Sequence, residues 1–161
     1  MREILFRGKH MHVCPENKHL DGTWVEGYLA DENHINDGKC EFLIDPETIC
    51  QYTGLIDKNG NLIWENDIVK FEDCGEEGYE YKEGFDFENK ARVEFTEGRW
   101  SLTDFVSDNS AVIDEMYNHA EFMNLWGVCE VVGNVFDNPE LLEVYDGEIN
   151  QIWEINQISK I

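Results

Sequence analysis

The chain has 161 residues, of which 12 are Lys or Arg and 35 are Asp or Glu, so its formal net charge is −23 at pH 7. A hydrophobic share of 42% is too high for a disordered chain, and the length suits one or two small domains. Because the basic residues are scattered, the charge excludes direct binding to DNA or to an anionic membrane as the default function.

The sequence shows no sign of export or membrane insertion. No apolar run approaches roughly 18 residues, and the first residues contain no hydrophobic signal core. The five cysteines are an odd number and include no CxxC pair, so we expect reduced thiols. These features predict a cytoplasmic protein in which Cys129 is buried as a small apolar residue.

Short strands are predicted in the first third of the chain. Ile4 and Phe6 alternate with charged neighbours, and residues 23–29 and 41–44 have a similar strand-like composition. We expect the last of these strands to end at Asp45-Pro46, because proline donates no hydrogen bond to a ladder.

Two hairpins are predicted in the middle of the chain. Asn59-Gly60 separates two apolar segments and supplies the two positive-φ positions that a tight turn requires. A strand at residues 67–71 follows this hairpin. Further along, the pair at residues 97–98 joins two more strands and forms the second hairpin.

Two short helices are predicted near the C-terminus, on either side of a strand at residues 130–136. Apolar residues recur at helical spacing as far as Met123, which predicts the first helix. Ser110 stands before it and can cap its first turn, because serine is a favoured N-cap residue. Asn138-Pro139 begins the second, because asparagine caps helices and proline suits the first helical position.

The last segment, residues 143–161, is predicted to be an amphipathic tail. It holds five isoleucines and one tryptophan, and leaving them in water would forgo several kcal/mol at roughly 25 cal/mol per Å². The tail is therefore expected to be buried. It packs either on the body of its own chain or on a second copy in a homo-oligomer, and the sequence leaves both open.

Several sequence blocks occur together in a fixed order: REILFRGK at residues 2–9, TWVEG at 23–27, DPET at 45–48, QYTGL at 51–55, DKNG at 57–60, IWENDIV at 63–69, VVGN at 131–134 and NPELL at 138–142. In these blocks the chain resembles the YopX family of phage and prophage proteins, over residues 2–142. The resemblance implies a mainly β fold with a part similar to an SH3-like barrel, the cytoplasm of a host cell as the location, and no assigned biochemical activity.

The fold prediction is a mainly β protein with minor α structure, in three parts. Residues 1–50 form an N-terminal β subdomain, and residues 51–142 form an SH3-like β-barrel domain with an acidic insertion at residues 72–88. Short C-terminal helices and the tail at residues 143–161 complete the chain. The antiparallel strands predicted between residues 67 and 136 have the order that a small barrel needs.

One segment has residues of metal-binding type. His10, His12 and Cys14 would project from one face of an extended strand, with His19 nearby. A structural zinc site needs four ligands and only three are in view, so an exposed loop is the better interpretation. We predict no metal and no cofactor.

The polar and amphipathic positions within the family-like blocks are the candidate binding residues. They are Gln51, Tyr52, Thr53, Trp64, Glu65, Asp67 and Asn134. Tyrosine and tryptophan anchor protein interfaces more often than most residues, so one interpretation is a protein-binding patch. The other is turn chemistry and hydrogen bonding that hold the two halves of the chain together.

The segment at residues 72–88 contains eight carboxylates and one lysine. A solvated loop that keeps the protein soluble would explain this composition. Two tyrosines and two phenylalanines are interleaved with the acids, which favours a packed extension or an irregular hairpin. Such a surface could engage a basic host protein.

The function predicted from the sequence is a non-catalytic module that binds a host or phage protein. No nucleophile, base and oxyanion donor can be named together, so we do not expect an enzyme. Direct nucleic-acid or membrane binding is not expected either. The alternative is an acidic mimic of nucleic acid that occupies the DNA site of a host enzyme, motivated by the charge of −23.

Overall fold

The computed structural model describes residues 4–12, 14–73, 87–108, 110–113 and 122–143. In these ranges the chain is mainly β, as predicted, and its strands form two antiparallel sheets. Short 3-10 helices lie between strands and after the last one, at Pro15–Leu20, Pro46–Thr48, Phe122–Gly127 and Pro139–Leu142. No helix in these ranges has the length and apolar character needed to cross a bilayer.

The first sheet has six strands in the order β4-β3-β2-β1-β5-β6. Their bounds are β1 Phe6–Lys9, β2 Trp24–Asp31, β3 His34–Asn36, β4 Glu41–Leu43, β5 Cys50–Ile56 and β6 Leu62–Trp64. A small apolar core of Val25, Ile35 and Ile44 covers one face, with Phe6, Phe42 and Ile49 packed around it. The sheet therefore extends beyond residue 50.

Two glycines in this sheet stand where a side chain would collide with a neighbour. A Cβ on Gly8 would strike the side chain of Ile44, and a Cβ on Gly27 would strike the backbone carbonyl of Asn36. Both glycines lie in the family-like blocks. Their role is to allow close approach between adjacent segments of the sheet.

The second sheet has four strands in the order β10-β7-β8-β9. Their bounds are β7 Asp67–Asp73, β8 Phe87–Thr96, β9 Arg99–Thr103 and β10 Glu130–Asn134. Its apolar face packs with Ile63, Leu125 and Trp126 in the larger core of the protein. Cys129 is fully buried there, which confirms the prediction for this residue.

Both predicted hairpins are present, but their turns differ. Glu97 and Gly98 both have positive φ (51° and 79°), as a two-residue hairpin turn requires. In the turn between β5 and β6 only Gly60 has positive φ, so the prediction for Asn59 is wrong. The reason is Asp57, whose carboxylate accepts the backbone N–H groups of Asn59 and Asn61 at 2.9 Å and shapes a longer turn.

The two predicted helix starts also differ. Ser110 acts as the cap of a helical turn at residues 111–113, because its Oγ accepts the N–H of Val112 at 3.1 Å. Pro139 begins a 3-10 helix as expected, but Asn138 makes no side-chain cap. The side-chain oxygen of Asn138 instead accepts the N–H of Asn134, at 3.4 Å. The remainder of the first helix lies outside the described residues.

The expected closed barrel is not formed by the ladders of the described residues, which make two open sheets. The acidic insertion is described only at its ends, where Glu72 pairs with Glu88 in the ladder between β7 and β8. The tail from residue 144 onwards lies outside the described residues. The division of the chain into three parts stays a prediction.

Candidate functional site

The seven candidate residues lie where the two sheets meet, a region that we call the junction. Gln51, Tyr52 and Thr53 are on β5, Trp64 ends β6, Glu65 is in the turn that follows, Asp67 begins β7 and Asn134 ends β10. The ladders place Tyr52 opposite Trp64, and Asn134 opposite Asp67. Four of the seven are buried, namely Thr53, Trp64, Asp67 and Asn134.

On β5 the candidate residues hold the end of the β5–β6 hairpin. The hydroxyl of Thr53 donates to the carbonyl of Ile63 at 2.7 Å and accepts the N–H of Leu55 at 3.1 Å. Gln51 and Glu65 are joined twice, because the Glu65 N–H donates to the Gln51 carbonyl and the Gln51 N–H donates to the Glu65 carboxylate. These bonds fix the turn that leads from the first sheet into the second.

Asp67 is the most deeply buried acid of the junction, at 1% exposure. One carboxylate oxygen accepts the guanidinium of Arg7 at 2.5 Å, and the other accepts the backbone N–H of Trp64 at 2.8 Å. Burial raises the pKa of Asp67 to about 6, although the charge of Arg7 opposes the shift. The carboxylate is therefore held at a cost in desolvation.

Arg7 lies between two indole rings. Its guanidinium carbon is 4.6 Å from the centre of the Trp24 ring and 5.2 Å from that of Trp64. These are cation–π distances, and they place the planar guanidinium between an aromatic ring of β2 and one of β6. Arg7 and its two tryptophans thus connect three strands of the first sheet to Asp67 at the start of the second.

Asp137 gathers a second set of hydrogen bonds beside this junction. Its carboxylate accepts Nζ of Lys9, Nε1 of Trp24 at 2.9 Å and Nδ2 of Asn134 at 3.1 Å. Burial raises the pKa of Asp137, but these hydrogen bonds outweigh it and lower the value to about 2. The turn after β10 is thereby tied to β1 and β2.

Four residues of the junction were not among those predicted from the sequence: Arg7, Lys9, Trp24 and Asp137. The first three lie inside the family-like blocks, and that position was the available signal. Asp137 lies between two blocks, and nothing in its neighbourhood distinguishes it from the many other acids. The turn chemistry predicted for Asn134 is present, since its side chain accepts the N–H groups of Phe136 and Asp137.

The predicted metal-type residues do not converge. Among the described residues no group of three His, Cys, Asp or Glu side chains is placed to hold a metal ion. His10 is buried and its ring packs edge-on against Phe42, with 5.4 Å between the ring centres. His12 instead lies 3.5 Å from the carboxylate of Asp21.

Beyond the junction, β2 carries an exposed surface. Tyr28 is 58% exposed and Leu29 is 40% exposed, and Glu26 and Asp31 on the same strand are also exposed. Glu26 and Tyr28 share one face of β2, whereas Leu29 lies on the other face, opposite the buried Ile35. We call Glu26 and Tyr28 the β2 surface. A cavity of about 280 Å³ opens beside it, lined in part by His10, Val25, Glu26 and Phe42.

Comparison with known proteins agrees with the sequence blocks. The family model described as "YopX protein" matches residues 7–143, which is most of the chain and includes the junction and the β2 surface. A search of curated proteins found no match. The chain belongs to the YopX protein family.

Proposed function

We propose that the protein is a non-catalytic module that binds another protein, and that the β2 surface is its contact region. The observation that carries the proposal is the exposure of Tyr28, at 58%, on the same face as the exposed Glu26 of a strand with neighbours on both sides. Exposed tyrosines on a rigid scaffold are frequent anchors of protein interfaces. A strand inside a sheet provides such a scaffold.

The junction supports this surface from the side rather than forming it. Trp24 is on the same strand, and its ring is held by Arg7 and by the carboxylate of Asp137. Of the seven residues predicted for a binding patch, the half-buried Gln51, Tyr52 and Glu65 are the ones left partly accessible to a partner. The four buried residues contribute by fixing the packing of the two sheets.

Charge determines which partners this surface suits. The chain carries −23 overall, and the β2 surface places the carboxylate of Glu26 beside the ring of Tyr28. A partner with basic residues around an apolar contact would be attracted at long range, with a salt-dependent association rate. We therefore propose a basic protein from the host or the phage as the partner.

Affinity capture from the native host, at low and high salt, provides the candidate partner, and calorimetry with the purified partner tests the surface. Tyr28→Ala is expected to weaken binding by tenfold or more, as for an interface anchor of about 2 kcal/mol. Phe95→Ala is the matched control, since Phe95 is 53% exposed on the second sheet. Equal binding by the two variants would refute the β2 surface as the contact region.

The acidic mimic of nucleic acid is the rival explanation for the charge. It predicts that the captured partner is a DNA-binding enzyme, that duplex DNA displaces the chain from it, and that Tyr28→Ala has no effect. That combination of results would replace our proposal. Retention of the complex in excess duplex DNA would contradict mimicry.

We also propose that the second sheet belongs to an SH3-like unit. The support is its meander of β7, β8 and β9 with β10 added beside β7, a short-stranded antiparallel arrangement found in small barrels. An experimental structure of the whole chain tests this. Closure of the sheet by a strand from outside the described ranges would support it, and an open four-stranded sheet in the whole chain would refute it.

A further inference from the structure

The cavity beside β2 has a base, walls and a rim that differ in chemistry. His10 and Val25 form its base and are 6% and 8% exposed. Leu20 and Phe42 are half-buried apolar walls. Glu26 and Asp37 are the exposed acids of the lining, so their negative charge is at the rim.

The base of the cavity contains a buried polar atom without a partner. Nδ1 of His10 is inaccessible to solvent and has no hydrogen bond to any described residue. Both backbone groups of His10 are hydrogen-bonded: its N–H donates to the carbonyl of Thr23, and its carbonyl accepts the N–H of Gly22, each at 2.8 Å. These bonds and the edge-on contact of its ring with Phe42 hold His10 as a fixed base of the cavity.

The rim carries negative charge that is fixed in place. The side chain of Asp37 accepts the N–H groups of Lys39 and Cys40 at 2.8 Å each. The hydrogen bonds from Cys40 and Lys39 lower the pKa of Asp37 further below neutral pH, so its carboxylate is ionised there. Glu26 belongs to the β2 surface, so the rim of the cavity and the proposed contact region are continuous.

The volume limits what the cavity can hold. At about 280 Å³ it is slightly smaller than the roughly 300–1,000 Å³ typical of sites for drug-sized ligands. A single long side chain fits this volume. The carboxylates at the rim disfavour an anion, and the apolar walls suit the aliphatic part of a basic side chain.

We infer that the cavity takes one lysine or arginine side chain of the protein partner. Its aliphatic part packs against Leu20 and Phe42, and its cation is attracted by Glu26 and Asp37. This inference rests on the proposed function, because it assigns the cavity to the same partner as the β2 surface. A cavity for one side chain would add selection to the general attraction between an acidic protein and basic partners.

The test uses small probes and needs no identified partner. Nα-acetyl-lysine methylamide and Nα-acetyl-arginine methylamide are titrated into the isotope-labelled chain, with the norleucine analogue as an uncharged control of similar length. Saturable NMR shifts centred on His10, Leu20 and Phe42 are expected for at least one basic probe. Norleucine binding as tightly as the basic probes, or shifts spread over the whole acidic surface, would overturn the inference.

A pair of double variants isolates the contribution of the rim. Glu26→Gln with Asp37→Asn is expected to weaken binding of the basic probe about tenfold, as for two exposed charges. Glu32→Gln with Glu41→Gln removes the same charge from exposed positions outside the lining and should leave binding unchanged. Equal weakening by both double variants would show that only general electrostatics operates.

The two proposals can fail separately. A partner that binds the rim double variant as tightly as it binds the unmodified chain, but loses affinity on Tyr28→Ala, would refute the cavity assignment and leave the β2 surface intact. A basic probe that binds the cavity while the partner ignores Tyr28→Ala would refute the β2 surface and keep the cavity as a site for basic side chains.

Discussion

The guanidinium of Arg7 on β1 lies 2.5 Å from the carboxylate of Asp67 on β7, which joins the two sheets of the protein through one ion pair. Both side chains are largely withdrawn from water, with 13% and 1% exposure. A buried pair of this kind contributes little net stability, because desolvation cancels much of its attraction. Its loss is nevertheless costly, since either partner alone is a buried charge.

Asp67→Ala is therefore expected to destabilise the protein by about 3–5 kcal/mol, because it leaves the guanidinium of Arg7 and the N–H of Trp64 without their acceptor. Asp67→Asn should cost less, since the amide oxygen can still accept one of the two hydrogen bonds and burial already disfavours the charge. Urea denaturation measures the difference. The exposed Asp104, 3.5 Å from Arg92, is the control, and Asp104→Asn should stay within about 0.5 kcal/mol.

The raised pKa of Asp67 gives a prediction for pH. The folded state, with a pKa of about 6 at this carboxyl against an ordinary 3.8, binds more protons than the unfolded chain between these values. The contribution of Asp67 to stability is thus present below about pH 4 and is lost as the pH rises to about 6. The stability of the unmodified protein relative to Asp67→Asn should rise when the pH is lowered from 7 to 4.

Asp137 has the opposite dependence. Its pKa is lowered from 3.8 to about 2, so its contribution is present above about pH 4 and is lost as the pH falls towards 2. The advantage of the unmodified protein over Asp137→Asn should shrink in that acidic range and stay constant between pH 5 and 7. The same change with pH in the Asp67→Asn and Asp137→Asn comparisons would contradict both assignments.

Gly27 offers a test of close packing in the first sheet. Gly27→Ala places a Cβ against the carbonyl of Asn36, a backbone atom that cannot move independently of the β2–β3 ladder. We expect a loss of about 1–3 kcal/mol, as for overpacked cores. Gly127→Ala is the control, because a Cβ at that position would meet no described atom within 4 Å, and it should be neutral or slightly stabilising.

The cysteines should differ in reactivity. Burial raises the pKa of the Cys50 and Cys129 thiols to about 11, whereas Cys40 is exposed. Under native conditions at pH 8, a thiol reagent such as iodoacetamide should label Cys40 much faster than either buried residue. Peptide mass spectrometry after timed labelling measures each site. Rapid labelling of Cys129 in the folded protein would contradict its place in the core.

The predictable part of the fold is the part that local sequence determines. Glu97-Gly98 made its hairpin as expected, because two positive-φ residues suffice for that turn. At the other hairpin the local rule misassigned Asn59, since the decisive group was the carboxylate of Asp57, which also accepts the distant N–H of Val131 at 2.9 Å. Barrel closure depends on long-range pairing, and strand patterns alone do not specify it.

The candidate site shows the same limit. Seven polar residues could be assigned to ordered blocks, and their capacity to hold two halves of the chain together was predictable. The sequence offered no means of seeing that Asp67 meets Arg7, because 60 residues separate them, or that Asp137 meets Lys9 across 128 residues. Partners so far apart leave no periodic signal in a single sequence.

The position of β10 beside β7 has a consequence for synthesis of the chain. β7, β8 and β9 are complete by residue 103, but their sheet lacks an edge strand until residues 130–134 have been made. During translation, at about 5–20 residues per second, the nascent chain must keep the free side of β7 unpaired for seconds. Ribosome-bound intermediates that lack β10 should therefore be prone to aggregate, and truncation before residue 130 should trap the chain in that state.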